Sequence, residues 1–269
     1  MENFIKIEKL NFSYGKHKIY ENFDLSIKKG TWVSILGANG AGKSTLVKIL
    51  VGLYRNNNTI TIDDKLLNRK NYKQIRKSMG VILDNPEIQF VSETVRDEIA
   101  FNLENLQYEK EEIKKRVDEI AKILKIDDLL DIEPHRLSGG QMQKVAIASA
   151  LVIKPKILIL DEAVSMIDPF DKKEILNILK QYHNKEETTI INFTSDIEET
   201  VYSDRIVGLY KGQIGIDGSL KAVLKEERAM KKLGLDLPFI VELATKLKLY
   251  GLVDDIELNI DKLVDKLWK

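Results

Sequence analysis

The chain has 269 residues, 42 lysines and arginines against 42 aspartates and glutamates, and no cysteine. The even charge balance gives no argument for a nucleic-acid partner or an acidic tail, and the missing thiols exclude disulfides and thiolate metal sites. No apolar run approaches the ~18 residues of a membrane-spanning helix and the first residues lack a signal-peptide core, so work at a membrane requires docking on another subunit.

Residues Ile5 to about Ile27 alternate apolar and polar with turn residues between, which predicts an antiparallel β region. Tyr14 falls just before a turn at Gly15. A phenol there could stack on a nucleotide base or be a half-buried strand tyrosine, and these residues alone leave both open.

Trp32-Val33-Ser34-Ile35-Leu36 then reads as a buried strand, and Leu46, Ile49 and Leu50 recur at helical spacing. Between them lies Gly37-Ala38-Asn39-Gly40-Ala41-Gly42-Lys43-Ser44-Thr45, which fits G-x-x-x-x-G-K-[ST], the P-loop. The physical content is specific. Backbone N–H groups of Gly37, Asn39, Gly40 and Gly42 can wrap a phosphate, and the helix that follows adds a positive end. Lys43 then reaches the β- and γ-phosphates, and the Ser44 hydroxyl ligates Mg²⁺ beside Thr45.

Ile60-Thr61-Ile62 and Met79-Gly80-Val81-Ile82-Leu83 predict two more strands. From roughly Ser92 to Lys154 the pattern turns helical, with Val95, Ile99 and Leu103, then Ile113, Val117, Ile120 and Leu124, on one face. Inside this stretch Leu137-Ser138-Gly139-Gly140-Gln141 opens a helix. Ser138 is a good N-cap, and Gly139 and Gly140 leave N–H groups free at a helix start. That makes a second anion-binding element or merely a capped helix.

Ile157-Leu158-Ile159-Leu160 is a core strand that ends in two carboxylates, Asp161 and Glu162. At the carboxyl edge of an open sheet, Asp161 holds Mg²⁺ through water and Glu162 polarises the attacking water. Thr189 to Phe193 forms another core strand leading to Thr194-Ser195-Asp196, and Arg205 to Gly212 reads as a hairpin. His183 reads as an exposed residue in a polar helix-to-strand connection.

The order of these motifs resembles the ABC (ATP-binding cassette) ATPases, from about Ile5 to Gly218. LSGGQ downstream of a P-loop is the specific signal, with a D-loop at Ser165-Met166-Ile167-Asp168. The resemblance implies an α/β fold: a P-loop ABC ATPase core with an antiparallel β region and a helical subdomain at about 86–154. It also implies that two cassettes sandwich two ATP molecules. Ser138, Gly139, Gly140 and Gln141 then act on the partner's ATP, and Tyr14 stacks on adenine.

A finer resemblance is to the ATPase subunits of energy-coupling factor (ECF) transporters, which import vitamins and metal ions. Asn85-Pro86-Glu87-Ile88-Gln89-Phe90-Val91, Asp97-Glu98-Ile99-Ala100-Phe101 and Gly234-Leu235-Asp236-Leu237-Pro238-Phe239 carry it. It implies a cassette at 1–218 and a helical extension at 219–269 that contacts a second ABC ATPase. It further implies an integral-membrane coupling subunit, a substrate-binding membrane subunit, and a peripheral location on the cytoplasmic face of the cell membrane. Ile240, Leu243, Ala244 and Leu247 mark one amphipathic tail helix, and Ile260, Leu263, Val264 and Leu267 another, whose apolar faces must be buried either back on the cassette or against a partner chain.

Two positions depart from the family. Asp84 stands where the Q-loop glutamine is expected, able to meet Mg²⁺ but adding charge. Ser195 stands where the switch histidine is expected, and a Ser hydroxyl cannot span the gap an imidazole spans. The expectation is a site that binds MgATP but hydrolyses it poorly, in an asymmetric heterodimer. The rivals are a fully active site, the ATPase of a conventional ABC transporter, a non-transport ABC protein, and a regulatory module without turnover.

Overall fold

The computed structural model describes residues 3–165, 167–226, 230–231, 233–235, 239–254 and 260–268. Met166 of the D-loop and Asp236, Leu237 and Pro238 of the tail motif lie outside the described residues. In chain order, β1 (Asn3–Tyr14) and β2 (His17–Lys28) are followed by β3 (Trp32–Leu36) and α1 (Lys43–Leu50). Next come β4 (Ile60–Ile62), β5 (Lys65–Leu66), α2 (Tyr72–Arg76) and β6 (Met79–Ile82). Three helices follow: α3 (Val95–Asn105), α4 (Lys110–Leu124) and α5 (Gly139–Leu151). The chain then forms β7 (Ile157–Asp161), α6 (Pro169–Glu186), β8 (Thr189–Thr194), β9 (Arg205–Tyr210), β10 (Gln213–Gly218) and α7 (Leu220–Leu224).

The alternating N-terminal stretch is antiparallel, as its period demands. β1 and β2 pair from Asn3↔Lys28 to Tyr14↔His17, within a sheet ordered β2-β1-β4-β5. The continuous apolar runs make a second sheet, β10-β9-β3-β8-β7-β6, parallel except for the β9–β10 hairpin. Every residue of β3, β7 and β8 is buried, which is why those strands read without alternation.

The strand order decides where the motifs meet. Leu36 at the end of β3 sits opposite Thr194 at the end of β8, and Asp161 at the end of β7 sits opposite Phe193. Segments that are distant in sequence therefore leave the sheet at one carboxyl edge, where open α/β sheets bind ligands.

The predicted helical face is the one that is buried: Val95, Ile99 and Leu103 of α3 with Val117, Ile120 and Leu124 of α4. These share one core with α5 and with Ile175, Leu176 and Leu179 of α6. Thr94 caps α3, its hydroxyl accepting from the Asp97 N–H.

His183 is a correction. It is buried, not exposed, because α6 runs on to Glu186 and carries the ring inward. Its Nδ1 lies 2.7 Å from the Thr188 carbonyl and its ring meets Trp32 edge-on at 6.0 Å.

The tail begins by packing behind the site. Met230, Leu233 and Leu235 join Leu36, Ile197 and Ile206 in one apolar cluster, and so does Val241 from the helix Phe239–Leu249. That helix also packs Ala244 against Val253 and Leu263, the last from the helix Ile260–Leu267. Val264 and Leu267, predicted on an apolar face, are exposed, while Leu263 is buried.

Candidate nucleotide-binding site

β3 ends at Leu36, and the Gly37 N–H donates to the Thr194 carbonyl at 3.2 Å, so the loop starts pinned to the neighbouring strand. A Cβ at Gly37 would meet the Leu209 carbonyl at 2.6 Å. At Gly42 the backbone has φ +113°, and a Cβ would meet the Tyr20 hydroxyl at 2.7 Å. Both positions require glycine on steric grounds alone. The Tyr20 hydroxyl donates to the Gly42 carbonyl at 2.8 Å, and burial pushes that phenol well above its ordinary pKa. Sequence reasoning missed Tyr20, since a buried strand tyrosine has no motif of its own.

Lys43 is buried at the base of the loop. Its ammonium donates to the Gly37 carbonyl at 2.6 Å and lies 3.3 Å from Glu162 Oε1. That oxygen is buried without a hydrogen bond, so the contact is electrostatic and poorly aligned for bonding. The Ser195 hydroxyl donates to the other oxygen, Oε2, at 3.4 Å. Glu162 itself is held at φ +50°, an uncommon conformation for a bulky residue, with its N–H bonded to the Phe193 carbonyl at 2.9 Å.

The Ser44 hydroxyl donates to Asp161 Oδ1 at 3.3 Å. Burial pushes the Asp161 carboxyl up to about 6; the Asp84 and Glu162 charges add to this, while the Ser44 bond and Lys43 oppose it. Asp84 therefore acts electrostatically on the Asp161 side of the site. Among the described residues, no group of three or more His, Cys, Asp or Glu could hold a metal ion by itself. Mg²⁺ at phosphoryl-transfer sites takes one or two protein oxygens and completes its shell with phosphates and water. The Ser44 and Asp161 oxygens, beside a loop in which Gly37 and Gly42 admit no Cβ, fit that requirement.

Tyr14 is half exposed at the end of β1, with its hydroxyl 3.4 Å from Thr45 Oγ1 and its ring 5.6 Å from that of Tyr54. Tyr54 was not legible in the sequence, because only the return of the chain after α1 brings it there. The Leu83 N–H, next to Asp84, donates to Gln89 Oε1 at 3.3 Å.

The LSGGQ stretch is not part of this cluster. Ser138 and Gln141 bond each other in a capping box, with 2.9 Å from the Ser138 N–H to Gln141 Oε1. A Cβ at Gly139 or Gly140 would meet nothing within 4 Å. Ser138, Gly140 and Gln141 line a separate concavity with Lys144, Asp168 and Asp171. The helix start is thus exposed, with Ser138 and Gly139 facing solvent.

A mostly parallel sheet with that loop, carboxylate pair and outlying signature defines a P-loop ATP-binding cassette. A family model described as ABC transporter matches residues 20–165. The energy-coupling factor transporter ATP-binding protein EcfA of Pediococcus pentosaceus is 40% identical, over 97% of this chain and 95% of that one. EcfA1 of Listeria monocytogenes is 38% identical, over 100% of this chain and 98% of its own. Among solved structures, cbiO1 from Clostridium perfringens, described as part of the ABC transporter complex cbiONQ, superposes with a TM-score of 0.77. It is 34% identical and covers 90% of this chain and 99% of its own. The ATP-binding cassette MJ0796, a dimer in a post-hydrolysis state with ADP and phosphate, gives 0.73 at 26% identity over 80% of this chain and 98% of its own. This chain belongs to the ABC transporter ATPases, in the group of energy-coupling factor transporter ATP-binding proteins, and it is an ATP-binding ATPase.

Proposed function

We propose that this chain is the ATPase of an ECF-type importer of vitamins or metal ions, paired with a second, different ATPase. It sits peripherally on the cytoplasmic face of the cell membrane. The observation that carries the reading is the convergence of Lys43 and Ser195 on Glu162, each within 3.5 Å of one of its carboxylate oxygens, in a chain matched over nearly its full length by ECF ATP-binding proteins.

In the proposed mechanism the P-loop amides and Lys43 bind the β- and γ-phosphates and Tyr14 packs on the adenine. Ser44 and Asp161 would hold Mg²⁺, with Asp84 nearby, and Mg²⁺ there would neutralise charge developing on the phosphates. Glu162 orients and deprotonates the attacking water. Ser138, the N–H groups of Gly139 and Gly140, and Gln141 grip the nucleotide on the partner ATPase. Ser195 is already committed to Glu162 and is too short to reach a γ-phosphate as an imidazole would. Asp84 brings an extra negative charge. This chain's own site is accordingly the weaker of two, and its signature serves the stronger.

The membrane subunit docks in the cleft of about 390 Å³ beside the Q-loop, lined by Leu53, Leu83, Gln89, Phe90 and Phe101. Leu53, Ile88 and Val91 are left largely exposed around it. The extension at 219–269 contributes to the ATPase dimer through exposed Phe239, Leu249, Tyr250 and Trp268.

The test is steady-state ATP turnover of the purified assembled transporter carrying Glu162→Gln or Ser138→Arg. Glu162→Gln should lower turnover partially and Ser138→Arg should abolish it. Loss with Glu162→Gln and tolerance of Ser138→Arg would overturn the asymmetry. Affinity purification from solubilised membranes, with no membrane protein recovered, would overturn the transport reading.

A further inference from the structure

The loop that carries Ser195 is anchored from outside the nucleotide site. Lys172, in the first turn of α6, places its ammonium 2.7 Å from Asp196 Oδ2 and 2.8 Å from Glu199 Oε1. Glu199 is 1% exposed and Lys172 19%. A carboxylate that buried needs a cation, so the bridge is a fixed feature and not a mobile surface pair. Asp196 is the residue after Ser195, and its other oxygen accepts the Glu198 N–H at 2.8 Å. Glu199 stands in the helical turn Ile197–Tyr202 that follows. One ammonium thus ties both ends of the segment that begins at the switch position.

The other end of this tie is equally specific. α6 starts at the D-loop aspartate: Asp168 is its N-cap, accepting from the Phe170 and Asp171 N–H groups at 3.0 and 3.1 Å. Lys172 is one helical turn further on, and its own N–H donates to the Asp168 carbonyl at 2.8 Å. Phe170, two residues past the cap, is 83% exposed. A force on the start of α6 therefore reaches the first residues of the Ser195 loop through the Lys172 side chain, and through Ser195 it reaches Glu162 Oε2.

We propose that Lys172 is a positioning residue for ATP hydrolysis, which holds the Ser195 loop against Glu162 and couples it to the D-loop end of α6. The Lys172 ammonium is spent on Asp196 and Glu199, and its role runs through them. It sets where the Ser195 hydroxyl stands, and so which way the Glu162 carboxylate faces. The kinetic part rests on the reading that this chain's own site turns over; the structural part does not.

The test uses the assembled transporter with Lys172→Arg, Lys172→Met, the double variant Lys172→Met/Glu199→Met, and Glu162→Gln as reference. Lys172→Met alone strands the buried Glu199 charge and lowers the melting temperature, so it cannot by itself separate a structural role from a positioning one. The double variant removes both charges and leaves the Asp196 cap in place. It should melt near the wild type, yet exchange the amide hydrogens of residues 194–199 about tenfold faster, because the tie is gone. Its kcat should fall toward that of Glu162→Gln with KM for ATP within about twofold, since misplacement of a catalytic group costs rate rather than binding. Lys172→Arg should keep the wild-type kcat. Wild-type exchange at 194–199 in the stable double variant overturns the proposal whatever the turnover. So does a double variant that recovers both stability and kcat where Glu162→Gln lowers kcat. If Glu162→Gln leaves turnover unchanged, own-site hydrolysis fails as a reading, and the exchange measurement still decides the role of Lys172.

Discussion

At the scale of single residues, two substitutions and one titration set this site apart. On the proposed reading Asp84 and Ser195 each stand in for a positioning side chain, and positioning with electrostatics supplies most phosphoryl-transfer catalysis. Asp84→Gln combined with Ser195→His should raise this chain's own turnover by about tenfold to a hundredfold. The measurement is ATP hydrolysis by the complex with the partner's catalytic carboxylate removed. Asp161 makes the second prediction. With its pKa raised to about 6, the folded chain holds the proton more tightly than the unfolded chain does. This contribution to stability is fully present below the unfolded value of ~4 and is lost as pH rises through about 6. The same proton competes with Mg²⁺, so Mg²⁺-dependent nucleotide affinity should weaken as pH falls from 7 to 5. Asp84→Asn removes one of the charges raising the pKa, and should move the midpoint of a fluorescent-nucleotide titration to lower pH.

At the scale of elements, what matters is how strands and helices present their ends. β3, β7 and β8 end side by side, so the P-loop, the carboxylates and the Ser195 loop need no long side chains to meet. The turn into α1 depends on Gly42, whose φ of +113° and contact with the Tyr20 hydroxyl leave no room for a methyl group. Gly42→Ala should cost about 1–3 kcal/mol in denaturant unfolding and abolish nucleotide binding, because the strain falls on the residue before Lys43. Retained binding with unchanged stability would show that the loop relaxes around Tyr20. The strand and helix positions here were largely legible in the sequence. Continuous runs mark β3 and β7, and the spacing of Val95, Ile99 and Leu103 marks α3. Local period depends on which faces are buried, and that property is written residue by residue. His183 was misread because a polar stretch near a helix end looks exposed unless the helix is known to continue.

At the scale of the whole molecule, the tail is more than an appendage to the cassette. Val241 from the tail helix is buried in the same cluster as Leu36, which precedes Gly37, and Ile197, which follows the switch loop by two positions. Val241→Asp would place an unpaired charge in the cluster that holds both. It should cost about 3 kcal/mol or more, read by denaturant unfolding, and should weaken ATP binding in parallel. An unchanged unfolding midpoint would mean that the helix does not need this seat. The packing was beyond sequence reading: the tail pattern showed an apolar face but not its partner, and two residues expected on that face, Val264 and Leu267, are exposed.

By itself the sequence determined the chemistry and its family: a P-loop, a signature and a carboxylate pair are short, local arrangements whose spacing is dictated by phosphate and helix geometry. It also exposed the two departures, since a motif defines what should stand at each place. Only the tertiary structure decided which parts touch. The Lys172 bridge to Asp196 and Glu199, the Tyr20 contact beneath Gly42, the burial of His183 and the seat of Val241 each join segments distant along the chain. Such contacts depend on strand order and helix packing, which no local pattern encodes.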